Sequence, residues 1–350
     1  MGTQTRSVGD RMNRQTACNL FIENAGWAAA QVSALAGDAS NRRYLRLKAN
    51  DGTTAVVMDA PPDRGEDVRP FVDIAGFLTE TGLSAPRIIA QDVQHGFLLI
   101  EDLGDALFAK EMKRDPNLIT PLYEAATDVL THLHSVEPPA LPAYNSTVTV
   151  PLAALAFEWY QFGAVGQVDT AAKTEFSAAF DAVIQQYDRD LSVLIQRDYH
   201  AENLIWLPER TGVARVGLLD FQDAMIGHPA YDLVSVLQDA RRDVDNETEN
   251  SMRTRFVEQN SLNRDEFQQA YAVFGAQRNL RILGVFARLC LRDQKPHYVD
   301  LIPRVWNHVQ TNLRHPALHE VARILDTALP GPTDDALRTL KKKSGTCSGQ

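Results

Sequence analysis

Three polar residues have an order and spacing that can support phosphoryl transfer. Asp198 is followed five residues later by Asn203, which opens the apolar run Leu204-Ile205-Trp206, and Asp220 ends a second apolar run seventeen residues further on. Kinase-type transfer needs a base for the attacking hydroxyl and oxygen ligands that hold Mg²⁺ against the nucleotide phosphates. We therefore expect Asp198 to be the base and Asn203 and Asp220 to be the metal ligands. His200, in the same loop, is expected to brace the loop rather than to bind metal.

A kinase must also hold the nucleotide. Gly37-Asp38-Ala39-Ser40-Asn41 lies between the first two predicted strands, where backbone N–H groups and the Ser40 hydroxyl can bind phosphate oxygens. The segment has one glycine rather than a glycine-rich repeat, so a plain β-turn is the alternative. Main-chain groups around Glu101 and Leu103 are expected to bind adenine, with an exposed loop pair as the alternative for Glu101-Asp102.

The surrounding patterns predict an α+β fold of two lobes. Five short strands and one helix, with a hairpin turn at Asn50-Asp51-Gly52, predict a small antiparallel nucleotide-binding lobe over residues 16–101. Helical periodicity dominates residues 102–330, including 118–135, 170–190, 231–242, 264–291 and 316–328, and predicts a mostly helical catalytic and substrate-binding lobe. We expect residues 1–15 and 331–350 to be flexible.

Composition narrows the class of protein. The 350 residues carry a formal charge of −10, which argues against nucleic acid or an anionic membrane as the main partner. Three scattered cysteines form neither a disulfide framework nor a zinc motif, and the basic N-terminus lacks the apolar segment of a secretory signal. The cysteine pattern favours a protein of the reducing cytoplasm. The oligomeric state stays open.

The motifs together resemble the aminoglycoside phosphotransferase family, which has a protein-kinase-like fold. The matching segments are Gly37-Asp38-Ala39-Ser40-Asn41, Gln196-Arg197-Asp198-Tyr199-His200 with Asn203, Leu219-Asp220-Phe221, and Gly227-His228-Pro229-Ala230-Tyr231-Asp232. The resemblance covers about residues 20–310. It implies ATP and Mg²⁺ as cofactors, the roles given above for Asp198, Asn203 and Asp220, and a bracing role for Asp232 on the catalytic loop.

Several phrases resemble one subgroup, the anomeric N-acetylmuramate and N-acetylglucosamine kinases of peptidoglycan recycling. They are Asn41-Arg42-Arg43-Tyr44, Met58-Asp59-Ala60-Pro61-Pro62 and Gly284-Val285-Phe286-Ala287-Arg288-Leu289. The subgroup implies transfer of the γ-phosphoryl group of ATP to the sugar C1 hydroxyl. An aminoglycoside or other amino-alcohol phosphotransferase, and a nucleotide-binding module of pseudokinase type, remain as alternatives.

Two positions bear on these alternatives. The third strand reads Val56-Val57-Met58-Asp59 where kinases carry an ATP-binding lysine. Arg42, Arg43 or Arg46 are candidates for the missing cation, and a greater share of charge neutralisation by Mg²⁺ is the alternative. Each of these arginines could also be a surface residue that lies along the strand. The predicted helix from Gln277 to Asp293 has several arginines on one side. We expect one of them, Arg288, to meet the carboxylate of the acceptor, with a charged exterior face as the alternative.

Overall fold

A computed structural model describes residues 13–35 and 41–347. Backbone contacts divide the chain into two compact units. The smaller unit comprises the described residues up to Asp105 together with Gly217–Gln222, and the larger unit comprises Ala106–Val216 and the chain from Asp223 onward. The smaller unit therefore combines the N-terminal part of the chain with one short segment from its middle, Gly217–Gln222.

The smaller unit is built on a five-stranded antiparallel sheet. Its helices and strands are Arg14–Asn24 (α1), Gln31–Ala34 (β1), Arg43–Lys48 (β2), Thr54–Asp59 (β3), Arg69–Glu80 (α2), Ile88–Asp92 (β4) and Phe97–Glu101 (β5). The strand order in the sheet is β1-β2-β3-β5-β4. Gly52 has a φ of +90°, which lets the chain reverse between β2 and β3.

Alternation of side chains along β3 and β5 gives this sheet its core. Val57 and Leu99 face each other in register and are fully buried. Phe21 of α1 stacks on Phe97, with ring centroids 5.6 Å apart, so α1 closes this part of the core. In α2 the buried residues recur at helical spacing, as its sequence predicts.

The larger unit is mostly helical. Its elements are Phe108–Arg114 (α3), Ile119–His134 (α4), Ser146–Leu155 (α5), Phe162–Val165 (α6), Thr170–Ile184 (α7), Val193–Ile195 (β6), Leu204–Trp206 (β7), Val216–Leu218 (β8, whose last two residues enter the smaller unit), Met225–Gly227 (β9), Ala230–Leu237 (α8), Asn246–Gln259 (α9), Arg264–Leu291 (α10), Ile302–Leu313 (α11), His319–Ala328 (α12) and Asp334–Lys342 (α13). Strand β6 pairs antiparallel with β9. The predicted fold class, a small antiparallel β unit and a mostly helical remainder, is confirmed.

The 28-residue helix α10 is the central element of the larger unit and is buried along most of its length. A Cβ atom on Gly284 would lie 2.4 Å from the backbone carbon of Leu155, so glycine at this position allows α5 to pack closely against α10. None of the helices within residues 13–35 and 41–347 is long and apolar enough to cross a membrane.

The C-terminal segment, expected to be flexible over residues 331–350, contains a packed helix. Asp334–Lys342 form α13, whose first turn is capped by the Thr333 side chain, and Leu340 is fully buried against Gly163. Acidic residues in the first turn and lysines in the last turn complement the helix dipole. This polar segment is therefore an amphipathic helix. Residues 1–12 and 348–350 lie outside the described chain.

Candidate active site

The segment Gln196–Asn203 connects β6 to β7 in the larger unit, and a buried carboxylate holds its beginning. Asp232, in the first turn of α8, is fully buried and accepts hydrogen bonds from the backbone N–H of Gln196 at 2.6 Å and of Arg197 at 3.0 Å. Arg197 has a φ of 71°, a conformation that costs a residue with a side chain about 1–2 kcal/mol. Burial raises the pKa of Asp232 to about 7, against the effect of the two N–H donors.

Asn203 and His200 organise the other end of this loop. The Asn203 side chain donates from Nδ2 to the Asp198 carbonyl oxygen at 2.9 Å, and its backbone N–H donates to the His200 carbonyl oxygen at 2.8 Å. Burial lowers the pKa of His200 to about 4, so the ring is neutral at pH 7. Its Nε2 faces the side-chain N–H groups of Asn203 at 3.4 Å and Arg241 at 3.5 Å. His200 therefore faces protein donors from within the loop.

Asp198 lies among cationic side chains of the same unit. Burial acts to raise the pKa of its carboxyl group, but the guanidinium groups of Arg281 and Arg278, both from α10, outweigh burial and hold that pKa below its ordinary value. Asp198 is therefore ionised at neutral pH and able to accept a hydrogen bond and a proton. Sequence reasoning did not single out Arg281, because only the folded chain brings α10 to the loop.

Asp220 lies in the smaller unit, directly after β8. The segment is attached there by a hydrogen bond from the Leu218 N–H to the Ser84 carbonyl oxygen at 2.9 Å. Phe221 is fully buried, with its ring centroid 4.8 Å from that of Phe71 in α2. Asp220 has a φ of 57°, and its Oδ1 accepts a hydrogen bond from Gln222 Nε2 at 2.7 Å. The buried phenylalanine thus anchors a strained aspartate.

The predicted nucleotide-binding residues are described only in part. Gly37 and Ser40 lie outside the described residues. Asn41 donates from its backbone N–H to Glu66 Oε1 at 3.1 Å. Glu101 ends β5, donates its backbone N–H to the Arg87 carbonyl oxygen at 2.8 Å and accepts a side-chain bond from the same arginine. Leu103 is buried.

The arginines near the missing lysine position each contact a carboxylate. The pairs are Arg42 with Glu66 at 2.8 Å, Arg43 with the buried Asp59, and Arg46 with Asp102 at 2.7 Å and Asp105 at 2.7 Å. Asp59 also binds Arg14 of α1 at 2.6 Å. In the smaller unit, therefore, these candidate cations already have anionic partners, and binding a phosphate would require them to share or change those partners.

Asn203, in the larger unit, and Asp220, in the smaller unit, each carry a side-chain oxygen of the kind that binds magnesium. In proteins Mg²⁺ is held by one or two protein groups and completes its shell with water and phosphate oxygens. Because Asn203 Nδ2 is directed to the Asp198 carbonyl, its Oδ1 occupies the opposite branch of the amide. No group of three or more histidine, cysteine, aspartate or glutamate side chains that could hold a metal occurs in the part of the chain that the structure describes.

Known proteins match the chain over most of its length. The family model described as "Phosphotransferase enzyme family" matches residues 31–272. The chain is similar to the N-acetylmuramate/N-acetylglucosamine kinase of Caulobacter vibrioides, at 37% identity over 91% of this chain and 98% of that protein. It is also similar to the protein of the same name from Pseudomonas aeruginosa, at 33% identity over 87% and 91% of the two chains.

A solved structure supports the fold. Amicoumacin kinase, solved in complex with AMP-PNP, Ca²⁺ and Ami, matches with a TM-score of 0.57 over 93% of this chain and 99% of that chain, at 14% identity. This likeness confirms the predicted protein-kinase-like fold. The family match and the similarity to curated kinases confirm the predicted enzyme class. This chain is a member of the phosphotransferase enzyme family.

Proposed function

We propose that this enzyme transfers the γ-phosphoryl group of ATP to the anomeric C1 hydroxyl of N-acetylmuramate and N-acetylglucosamine. The observation that carries the proposal is the similarity to kinases of that name along nearly the full length of both chains. The ionised Asp198 on a loop that is braced at both ends agrees with it. In this proposal the reaction takes place in the cytoplasm. The three free cysteines, Cys18, Cys290 and Cys347, support this location, because a reducing compartment keeps thiols unpaired.

Asp198 is the catalytic base in this proposal. Its carboxylate accepts a hydrogen bond from the sugar C1 hydroxyl and finally takes its proton, while the sugar oxygen bonds to the γ-phosphorus, the bond from that phosphorus to the β–γ bridging oxygen breaks, and ADP leaves. Asn203 and Asp220 are the residues that would hold Mg²⁺, and a bound Mg²⁺ supplies charge neutralisation at the phosphates.

Nucleotide contacts come from the smaller unit in this proposal. Backbone N–H groups at Gly37 and Asn41 and the Ser40 hydroxyl bind phosphate oxygens, for which the Asn41 N–H must exchange its Glu66 acceptor. Main-chain groups of Glu101 and Leu103 bind adenine. The structure of a relative of the same fold was solved with a nucleotide analogue, AMP-PNP, and a divalent ion, which favours an adenine nucleotide as donor.

The test is a coupled assay of ADP release with Mg-ATP and a panel of acceptors: N-acetylmuramate, N-acetylglucosamine, kanamycin and choline. We expect ADP release that depends on the two amino sugars, and detection of the 1-phosphate by NMR. Release only with kanamycin or choline would assign the amino-alcohol alternative. Mg-ATP binding without release for any acceptor would favour the non-catalytic module.

The base assignment has its own variant. Asp198→Asn should reduce turnover, measured per folded molecule, by roughly 10²–10⁴-fold, the usual cost of losing a general base. Asp243→Asn is the matched control, because Asp243 is an exposed carboxylate that pairs with Arg304 at the surface. Near-normal turnover of Asp198→Asn would contradict the assignment.

A further inference from the structure

Arg197, the residue directly before Asp198, has a backbone conformation that suits glycine better than arginine. Its φ is 71°, in the left-handed region where a Cβ atom crowds the backbone and where glycine is the usual residue. A residue with a side chain stays in this region only where surrounding contacts hold it there, and such residues cluster at functional sites. The contacts of Arg197 therefore indicate what its side chain contributes.

The backbone of Arg197 is bound to α8 through both of its polar groups. Its N–H donates to Asp232 Oδ1 at 3.0 Å, and its carbonyl oxygen accepts a hydrogen bond from the Ser235 hydroxyl at 3.4 Å. A glycine at this position would make the same two contacts, because both use main-chain atoms, and would make them without the steric cost of a Cβ atom. The backbone contacts explain the conformation, but they do not explain the arginine.

The guanidinium group of Arg197 contacts two groups that are attached to β9. Its Nη1 donates to the carbonyl oxygen of Asp223, two residues before β9, at 3.2 Å. Its Cζ lies 5.5 Å from the ring centre of Tyr144, which is a cation–π distance. Tyr144 is itself joined to β9, because its backbone N–H donates to the Ile226 carbonyl oxygen at 2.7 Å. The Arg197 side chain therefore connects the catalytic loop to β9.

This connection extends the pairing of β6 with β9 toward Asp198. The strand pairing ends where Ile195 lies opposite Met225, and these residues belong to the larger unit. Arg197 and Asp223 each lie two residues beyond that pair, so the Arg197 side chain joins the two segments where their backbones are no longer paired. The beginning of the catalytic loop is thus held by α8 through its backbone and by β9 through a side chain.

We propose that Arg197 is a positioning residue, whose guanidinium group fixes the direction in which the backbone presents Asp198. This inference rests on the proposed function, in which Asp198 is the base. Rotation of the peptide between residues 197 and 198 would move the Asp198 carboxylate, and the contacts of Arg197 on both its backbone and its side chain oppose that rotation. Arg197 lowers the pKa of Asp198 less than Arg281 and Arg278 do, so its contacts rather than its charge carry the role.

The test separates this role from a contribution to stability by comparing two variants that lack the same side-chain contacts. Arg197→Ala keeps the strained backbone, whereas Arg197→Gly relieves it, so the glycine variant should unfold at a higher urea concentration than the alanine variant. In both variants kcat per folded molecule should fall roughly 10- to 100-fold, the cost of displacing a catalytic group by about 1 Å, while KM for ATP changes less than about threefold. Arg197→Lys, whose ammonium can donate to the Asp223 carbonyl, should retain more turnover than either.

Ser261→Gly is the matched control. Ser261 is an exposed residue after α9 with a φ of 52°, so glycine relieves the same kind of strain there and turnover should be unchanged. Near-normal turnover of Arg197→Gly, or turnover losses that follow the urea midpoints of the two Arg197 variants, would overturn the inference. The variants are measured with the acceptor that the wild type uses. If that acceptor is not an amino sugar, the proposed function fails while the variants still decide the role of Arg197, and an inactive wild type would overturn both.

Discussion

Removal of the Asp232 carboxylate tests the physical basis of the catalytic loop. In Asp232→Ala, the backbone N–H groups of Gln196 and Arg197 lose their acceptor in a site from which water is excluded. Each buried N–H without a partner costs about 1–3 kcal/mol, so the free energy of unfolding should fall by about 2–6 kcal/mol. Asp232→Asn keeps one acceptor oxygen, and should lose about half as much.

Turnover should fall together with stability. Arg197 is held at a φ of 71°, and without the carboxylate its backbone can relax to a conformation of lower energy, which displaces the adjacent Asp198. Urea denaturation gives the free energy, and ADP release under saturating substrate gives turnover on the fraction that is folded. For Asp243→Ala, whose exposed carboxylate pairs with Arg304, we expect a change below about 1 kcal/mol. A loss below 1 kcal/mol with unchanged turnover in Asp232→Ala would refute the reasoning.

Two further predictions concern the framework. Asp245→Ala removes the side chain that accepts the Thr248 N–H at 2.8 Å and caps α9. Urea denaturation should therefore show a free energy of unfolding lower by about 0.5–2 kcal/mol. An unchanged midpoint would contradict the capping role. Gly96→Ala would place a Cβ atom 2.0 Å from the Ala60 carbonyl oxygen at a φ of +69°, and we expect little folded protein by circular dichroism. Gly52→Ala, where φ is +90° and no atom lies within 4 Å, should fold and lose only about 1–2 kcal/mol; equal behaviour of the two variants would contradict the steric argument.

Local sequence patterns were sufficient to predict several helices and strands. The predicted helix over 264–291 is observed with those bounds as α10, because Asn263 caps its N-terminus and apolar residues recur along its length. The helix α9 was not predicted, since its residues are mostly polar and only Thr248, Met252, Phe256 and Val257 are buried. A helix of this kind is stabilised by its N-cap and by one narrow buried face. Because most of its residues are polar, its composition does not reveal that face.

The amino-acid sequence by itself determined the small β unit, the helical remainder and the spacing of Asp198, Asn203 and Asp220, because strand alternation, helical periodicity and loop chemistry are local properties. Three contacts were decided only by the tertiary structure. Asp232 accepts a hydrogen bond from a backbone N–H 36 residues away, and Phe221 packs on Phe71 in the smaller unit next to Asp220. Helix α10 places the charges of Arg278 and Arg281 where they act on Asp198. These contacts join residues far apart in the chain, and burial and charge act through distances in space rather than along the sequence.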